Sequence, residues 1–307
     1  MNPIGRPFAF IFAHSALIVL AMVVSTSGLA VAQQSQNPSP MVEHTRAHLR
    51  LEKAEPEGTR INIRDGVELF LSKSVTESDD VPRLLIHFHG GHWIPQIAAA
   101  AEAEATGFAC LSVQAGSGSG AYARLFEADG TFRALVAEAE AEAEKAANRK
   151  FGPVTVSGWS AGCGAIREIL RDEANDALLE YVILLDGIHT SYTDGTPGPL
   201  ESKIETAKLA PFVRFARRAI AGHARMLVTH TTIFPGTFAS TTETADWLLR
   251  EIEVPREAVL RWGPMKTQQL SEARAGLFVL QGFAGNSAPD HVDLLHSLPE
   301  FLKRREE

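Results

Sequence analysis

Residues 152–170, Gly-Pro-Val-Thr-Val-Ser-Gly-Trp-Ser-Ala-Gly-Cys-Gly-Ala-Ile-Arg-Glu-Ile-Leu, constrain this chain more than any other stretch. A β-branched run, Val154, Thr155 and Val156, reads as a short buried strand, and residues 163–170 read as the start of a helix. Between them lies Gly-x-Ser-x-Gly, formed by Gly158, Ser160 and Gly162. A strand that enters a helix through so tight a turn forces the central residue into strained backbone angles. The positions two before and two after come too close for a Cβ, which calls for glycine at both. Ser160 then projects with its hydroxyl free, and the helix N-terminus behind it offers N–H groups to negative charge. The plainer reading of the same residues is a tight turn with an ordinary serine.

Strand, tight turn and helix in this order resemble the nucleophile elbow of the α/β-hydrolase superfamily. The resemblance extends over roughly residues 59–305, because other expected parts follow in the expected order. It implies an α/β fold: a mostly parallel eight-stranded sheet, helices on both faces, and a small lid or none over residues 187–224. The pattern along the chain agrees. Residues 60–63 and 67–72 alternate around the turn Arg64-Asp65-Gly66 and read as a hairpin. Strands are expected at 83–88, 108–113, 154–156, 181–185, 225–229 and 276–280. Helices are expected at 94–105, 131–148, 201–222, 242–252 and 291–304. Strands alternating with helices of ten or more residues argue for a parallel sheet covered on both faces.

A second motif, His87-Phe-His89-Gly90-Gly91-His92-Trp93, ends the third expected strand. It resembles the His-Gly-Gly oxyanion motif of esterases and lipases. The resemblance implies oxyanion donors at Ala161, next to the serine, and at Gly90 and Gly91, with His92 also in question and His89 as a loop brace. The same residues also resemble the His-x-His-x-x-His zinc motif of metallo-β-lactamase-type hydrolases. There, however, Gly91 stands where an Asp is required, so no metal and no cofactor is expected. Trp159, Trp93 and His92 are candidates for substrate contact, with core or rim packing as the alternative.

His291, in Ala288-Pro-Asp-His291, follows the last strand by about ten residues, where the family keeps its general base. The carboxylate that orients it usually follows the seventh strand. Here that strand runs into Thr229-His230-Thr231-Thr232, with no acid before Glu243. The sixth strand ends in Asp186, and some lipases place the acid there, so Asp186 is the expected partner and Asp290 the fallback. The order Ser160, Asp186, His291 is the family's order. Gly116-x-Gly118-x-x-Ala121 satisfies a loose dinucleotide pattern but follows a middle strand, with no helix expected directly after it.

The 307 residues carry a formal charge of −8, which argues against a nucleic-acid partner. Residues 1–32 have the features of a secretory signal peptide: Arg6, an apolar run, then Ala30-Val31-Ala32. Residues 33–55 are expected as a disordered leader and 56–307 as the hydrolase domain. The expected location is thus periplasmic or extracellular, without stable membrane insertion after cleavage. Cys110 and Cys163 fit small core residues better than a bridge. The expected activity is a serine hydrolase acting on a small-molecule carboxylic ester. A binding-only pseudo-hydrolase and a peptidase or amidase on the same fold remain open, and the sequence does not set the oligomeric state.

Overall fold

The computed structural model describes residues 47–102, 108–193 and 203–303. The expected signal peptide lies outside the described residues, as does the leader up to residue 46. The strands are β1 (Gly58–Arg64), β2 (Val67–Ser72), β3 (Arg83–Phe88), β4 (Phe108–Val113), β5 (Val154–Trp159), β6 (Leu179–Leu185), β7 (Arg225–Thr231), β8 (Glu257–Trp262), β9 (Gln268–Ala275) and β10 (Phe278–Phe283). The helices are α1 (Lys73–Glu77), α2 (Trp93–Glu102), α3 (Ser119–Arg124), α4 (Thr131–Ala147), α5 (Cys163–Arg171), α6 (Ala210–Ile220), α7 (Thr241–Ile252), α8 (Ala288–His296) and α9 (Leu298–Lys303).

All ten strands form one sheet in the order β1-β2-β4-β3-β5-β6-β7-β10-β9-β8. The inner strands from β4 to β10 pair in parallel. An antiparallel hairpin closes each side, β1–β2 at one and β9–β8 at the other. Alternation along the inner strands explains why both faces are covered. Leu84, Ile86 and Phe88 of β3 join one core with residues of α4, α5, α6 and α7. Leu85, between them, joins the other core with Ile94 of α2, Leu294 of α8 and Phe301 of α9. In β6, Val182 and Leu184 take the first side and Tyr181, Ile183 and Leu185 the second. Cys110 and Cys163 are both free and buried.

The expectation of eight strands is corrected to ten. The missed hairpin, β8 and β9, lies at the sheet edge, and nearly all of β8 faces solvent. A strand without a buried face carries no alternation for a sequence pattern to reveal. The helix expected from 201 begins at Ala210, after a 3-10 turn at Ala207–Leu209, and Pro211 sits in its first turn. Proline suits that position because its missing N–H has no helical partner there. The last expected helix divides into α8 and α9 at Ser297, just before Pro299. A short helix, α3, does open on the Gly/Ser loop, with Gly118 as its N-cap.

Helix α3 packs closely on α5. A Cβ at Gly164 would lie 2.1 Å from the Ser119 carbonyl oxygen, so only glycine lets the two backbones meet. Gly164→Ala should cost about 1–3 kcal/mol through overpacking and lower Tm. Gly118→Ala, where a Cβ meets nothing within 4 Å, should lower Tm less, losing at most about 1 kcal/mol of N-cap preference. Thermal melts of both variants check the pair.

Candidate active site

The elbow lies between β5 and α5. Ser160 has φ 49°, a left-handed value that a non-glycine residue adopts only under constraint. The constraint comes from both flanks. A Cβ at Gly158 would lie 3.0 Å from the Gly162 carbonyl carbon and 2.9 Å from Ile166 Cδ1. A Cβ at Gly162 would lie 2.1 Å from the carbonyl oxygen of Phe88, at the end of the neighbouring strand β3. The second glycine therefore answers to the adjacent strand as well as to the turn itself. Ser160 is half-buried, and its Oγ makes no hydrogen bond to a described residue. Contacts of this kind are often long before a substrate binds.

Phe88 leads straight into the second motif. His89, Gly90 and Gly91 all have positive φ, at 75°, 103° and 90°. This backbone bend is braced mainly through imidazoles. His87 Nε2 lies 2.7 Å from the His89 carbonyl oxygen and Nδ1 lies 2.7 Å from Ser157 Oγ. Burial pushes the His87 pKa down to about 3, so the ring is neutral. A carbonyl only accepts, so Nε2 carries the proton and the Ser157 hydroxyl donates to Nδ1. His89 Nδ1 meets the Tyr122 hydroxyl at 3.0 Å, and His92 Nδ1 pairs with Ser112 Oγ. Both ring nitrogens of His87 are thus taken by protein partners, leaving that ring without a lone pair to offer a metal. The N–H groups of Gly90, Gly91 and Ala161 have no acceptor among the described residues.

Asp186 follows β6 directly, at φ 43° and only 1% exposed. Its Oδ2 accepts from His291 Nδ1 at 2.6 Å and from Thr231 Oγ1 at 2.8 Å. Its Oδ1 accepts from the Thr231 N–H at 2.8 Å and from Thr241 Oγ1 at 2.9 Å. Burial alone would raise its pKa, but the His291 bond and charge and the Thr231 donors outweigh it and hold the carboxyl at about 2. With Nδ1 donating to the carboxylate, Nε2 is the ring nitrogen left for proton transfer. Asp290, the fallback acid, is occupied elsewhere. It caps α8, its Oδ2 accepting from the N–H groups of Asn286 and Ser287 and from Ser287 Oγ.

Trp159 ties the two halves of the site together. Its ring stacks on His89, with centroids 5.0 Å apart and planes at 13°, and lies against His291 at 4.6 Å. Its Nε1 donates to the His291 carbonyl oxygen at 2.9 Å. The side chain expected to meet substrate is thus engaged as a brace between the glycine turn and the histidine. Trp93 sits edge-on to His296 at 5.5 Å, beside Gly91 rather than against His291. Sequence reasoning missed Thr231 and Thr241. No local pattern marks them among the polar residues around them; their hydroxyls hold the Asp186 carboxylate across 45 and 55 positions of chain.

The one group of ligand-type side chains close enough to share a cation among the described residues is His48, Asp290 and Asp293. Arg50 already supplies a cation to Asp293 there.

No family model matches the chain, and no curated protein matches its sequence. Among solved structures it is similar to an acylaminoacyl peptidase of Pyrococcus horikoshii, at 15% identity and a TM-score of 0.45. That match covers 84% of this chain but only 42% of the peptidase, so the chain spans about two fifths of that protein's length. It is also similar to the acetyl xylan esterase from Aspergillus awamori, at 13% identity and a TM-score of 0.45, covering 80% of this chain and 99% of the esterase. An S-formylglutathione hydrolase from Agrobacterium tumefaciens matches at 11% identity and 0.42, over 78% of this chain and 87% of that one.

The Asp186 carboxyl is depressed in the folded state, so its contribution to stability is complete above its unfolded pKa of about 3.9 and disappears as pH falls toward about 2. Asp186→Asn should therefore flatten the fall in stability between roughly pH 4 and 2, measured by denaturant melts against pH. The parallel inner sheet, the strained serine elbow between β5 and α5 and the helices on both faces make this an α/β-hydrolase fold.

Proposed function

We propose that the protein is a serine hydrolase that cleaves carboxylic esters through an acyl-enzyme on Ser160. The observation that carries this reading is the 2.6 Å bond from His291 to the buried Asp186, with Trp159 of the elbow packed on the His291 ring. In the first half-reaction Ser160 Oγ attacks the ester carbonyl carbon while His291 Nε2 takes the hydroxyl proton. The carbonyl oxygen becomes an oxyanion, received by the N–H of Ala161 and of the Gly90–Gly91 turn. Collapse breaks the bond to the alcohol, which leaves with the proton from His291. Water then attacks the acyl-enzyme, giving its proton to His291, and the acid departs as Ser160 regains its hydrogen. Asp186 stays ionised throughout, fixing the tautomer and stabilising the imidazolium.

The binding-only alternative drew its support from the missing acid after strand seven, and the Asp186 contact takes that support away. Ester rather than amide is the bond we propose, since the ester carbonyl lacks amide resonance and an alkoxide leaves more readily than an amide anion. We also propose that residues 1–32 direct export. No helix among the described residues is long and apolar enough to cross a membrane.

Ser160→Ala should reduce turnover of a p-nitrophenyl ester by about 10⁴-fold or more, and Asp186→Asn by about 10⁴-fold. Wild-type turnover by Ser160→Ala would contradict the proposal. A panel of matched esters and amides tests the bond.

A further inference from the structure

Helix α8 carries His291 and is gripped by the segment that precedes the first strand. Asp293 lies two residues beyond His291, about 200° around the helix, and its carboxylate is fully buried. His48 Nδ1 lies 2.9 Å from its Oδ2, and the Arg50 guanidinium donates to its Oδ1. Arg50 Nη2 also donates to the Pro289 carbonyl oxygen, in the first turn of α8, at 2.9 Å. The N–H of Leu51 donates to Nδ1 of His296, the last residue of α8, at 3.0 Å. Burial lowers the His296 pKa to about 4, so the ring is neutral and its Nδ1 is free to accept. The Leu51 side chain packs against the core formed by α2, α8 and α9. The segment thus holds α8 at its start, its middle and its end.

A buried carboxylate that loses one of its cationic partners is under-compensated and is drawn toward water or a proton. Turning α8 toward solvent would satisfy Asp293, and the same rotation would swing His291 away from Asp186. We infer that His48, Arg50 and the Leu51 N–H are positioning groups for His291, acting through Asp293 and His296, so that residues 48–51 belong to the working enzyme. The inference rests on the base role proposed for His291. It also gives a function to part of the stretch expected as a disordered leader.

The test uses the full chain with Arg50→Ala and Arg50→Lys, beside Arg64→Ala, which removes only a surface pair with Glu138. A misplaced general base lowers kcat rather than ground-state binding. Arg50→Ala should lower kcat for a p-nitrophenyl ester about tenfold to a hundredfold with KM within about twofold. Arg50→Lys should recover most of that loss, and Arg64→Ala should match the wild type. Amide hydrogen exchange gives a readout independent of turnover: exchange across α8 should speed up in Arg50→Ala while α7 stays protected. Wild-type kcat together with unchanged α8 protection in Arg50→Ala would overturn the inference, as would a loss that Arg50→Lys fails to recover at all. If Ser160→Ala is as active as the wild type, the proposed function fails instead, and the exchange data still decide whether the segment clamps α8.

Discussion

A carboxylate taken out of water must be compensated where it stands, and in this protein that demand falls at Asp186. Three hydrogen bonds from Thr231 and Thr241 and one from His291 meet it. The three donor residues come from different elements: Thr231 from the end of β7, Thr241 from the start of α7 and His291 from the first half of α8. The Asp186 N–H is itself held by Thr229 Oγ1 at 3.0 Å. The acid therefore gathers three chain segments at one end of the sheet, and its own ionised state depends on their staying there. Thr231 and Thr241 matter here as much as the histidine, because a buried carboxylate with a single partner would protonate and release the imidazole.

The serine side of the site depends on steric contact rather than charge. Gly162 stands against the Phe88 carbonyl, and Phe88 leads into the bend at His89, Gly90 and Gly91. The elbow and the glycine turn are thus one rigid unit, with their backbones in contact across adjacent strands. Trp159 extends this unit to His291 by ring packing and an indole hydrogen bond. Residues 48–51 hold α8 through Asp293, Pro289 and His296. Strained backbone at Ser160, His89 and Asp186 persists because packing and hydrogen bonds on every side leave no easier conformation.

Much of this was legible in the sequence because it is local. The near-continuous apolar runs in residues 84–88 and 181–185 mark strands with two buried faces, and the glycines around Ser160 mark a turn without room for a side chain. Asp186 was singled out by the resemblance, because some lipases carry the acid after strand six and no acid follows strand seven here. What escaped lacks a local signal. The β8–β9 hairpin buries little, so no pattern betrays it. The split of the last helix turns on one proline, and the late start of α6 on another. Thr231, Thr241, His48 and Arg50 look like ordinary polar residues, and only contacts across 45 to 245 positions of chain give them meaning.

The central claim is that the hydroxyl of Ser160, the imidazole of His291 and the amides of Ala161 and the Gly90–Gly91 turn converge on one reacting carbon. A crystal structure of the protein after reaction with an alkyl phosphonate tests this most directly. The account predicts phosphorus bonded to Ser160 Oγ, one phosphoryl oxygen within about 3.1 Å of those amides, and His291 Nε2 on the side of the leaving group. An adduct on another residue, or a phosphoryl oxygen turned to solvent with His291 out of reach, would contradict it.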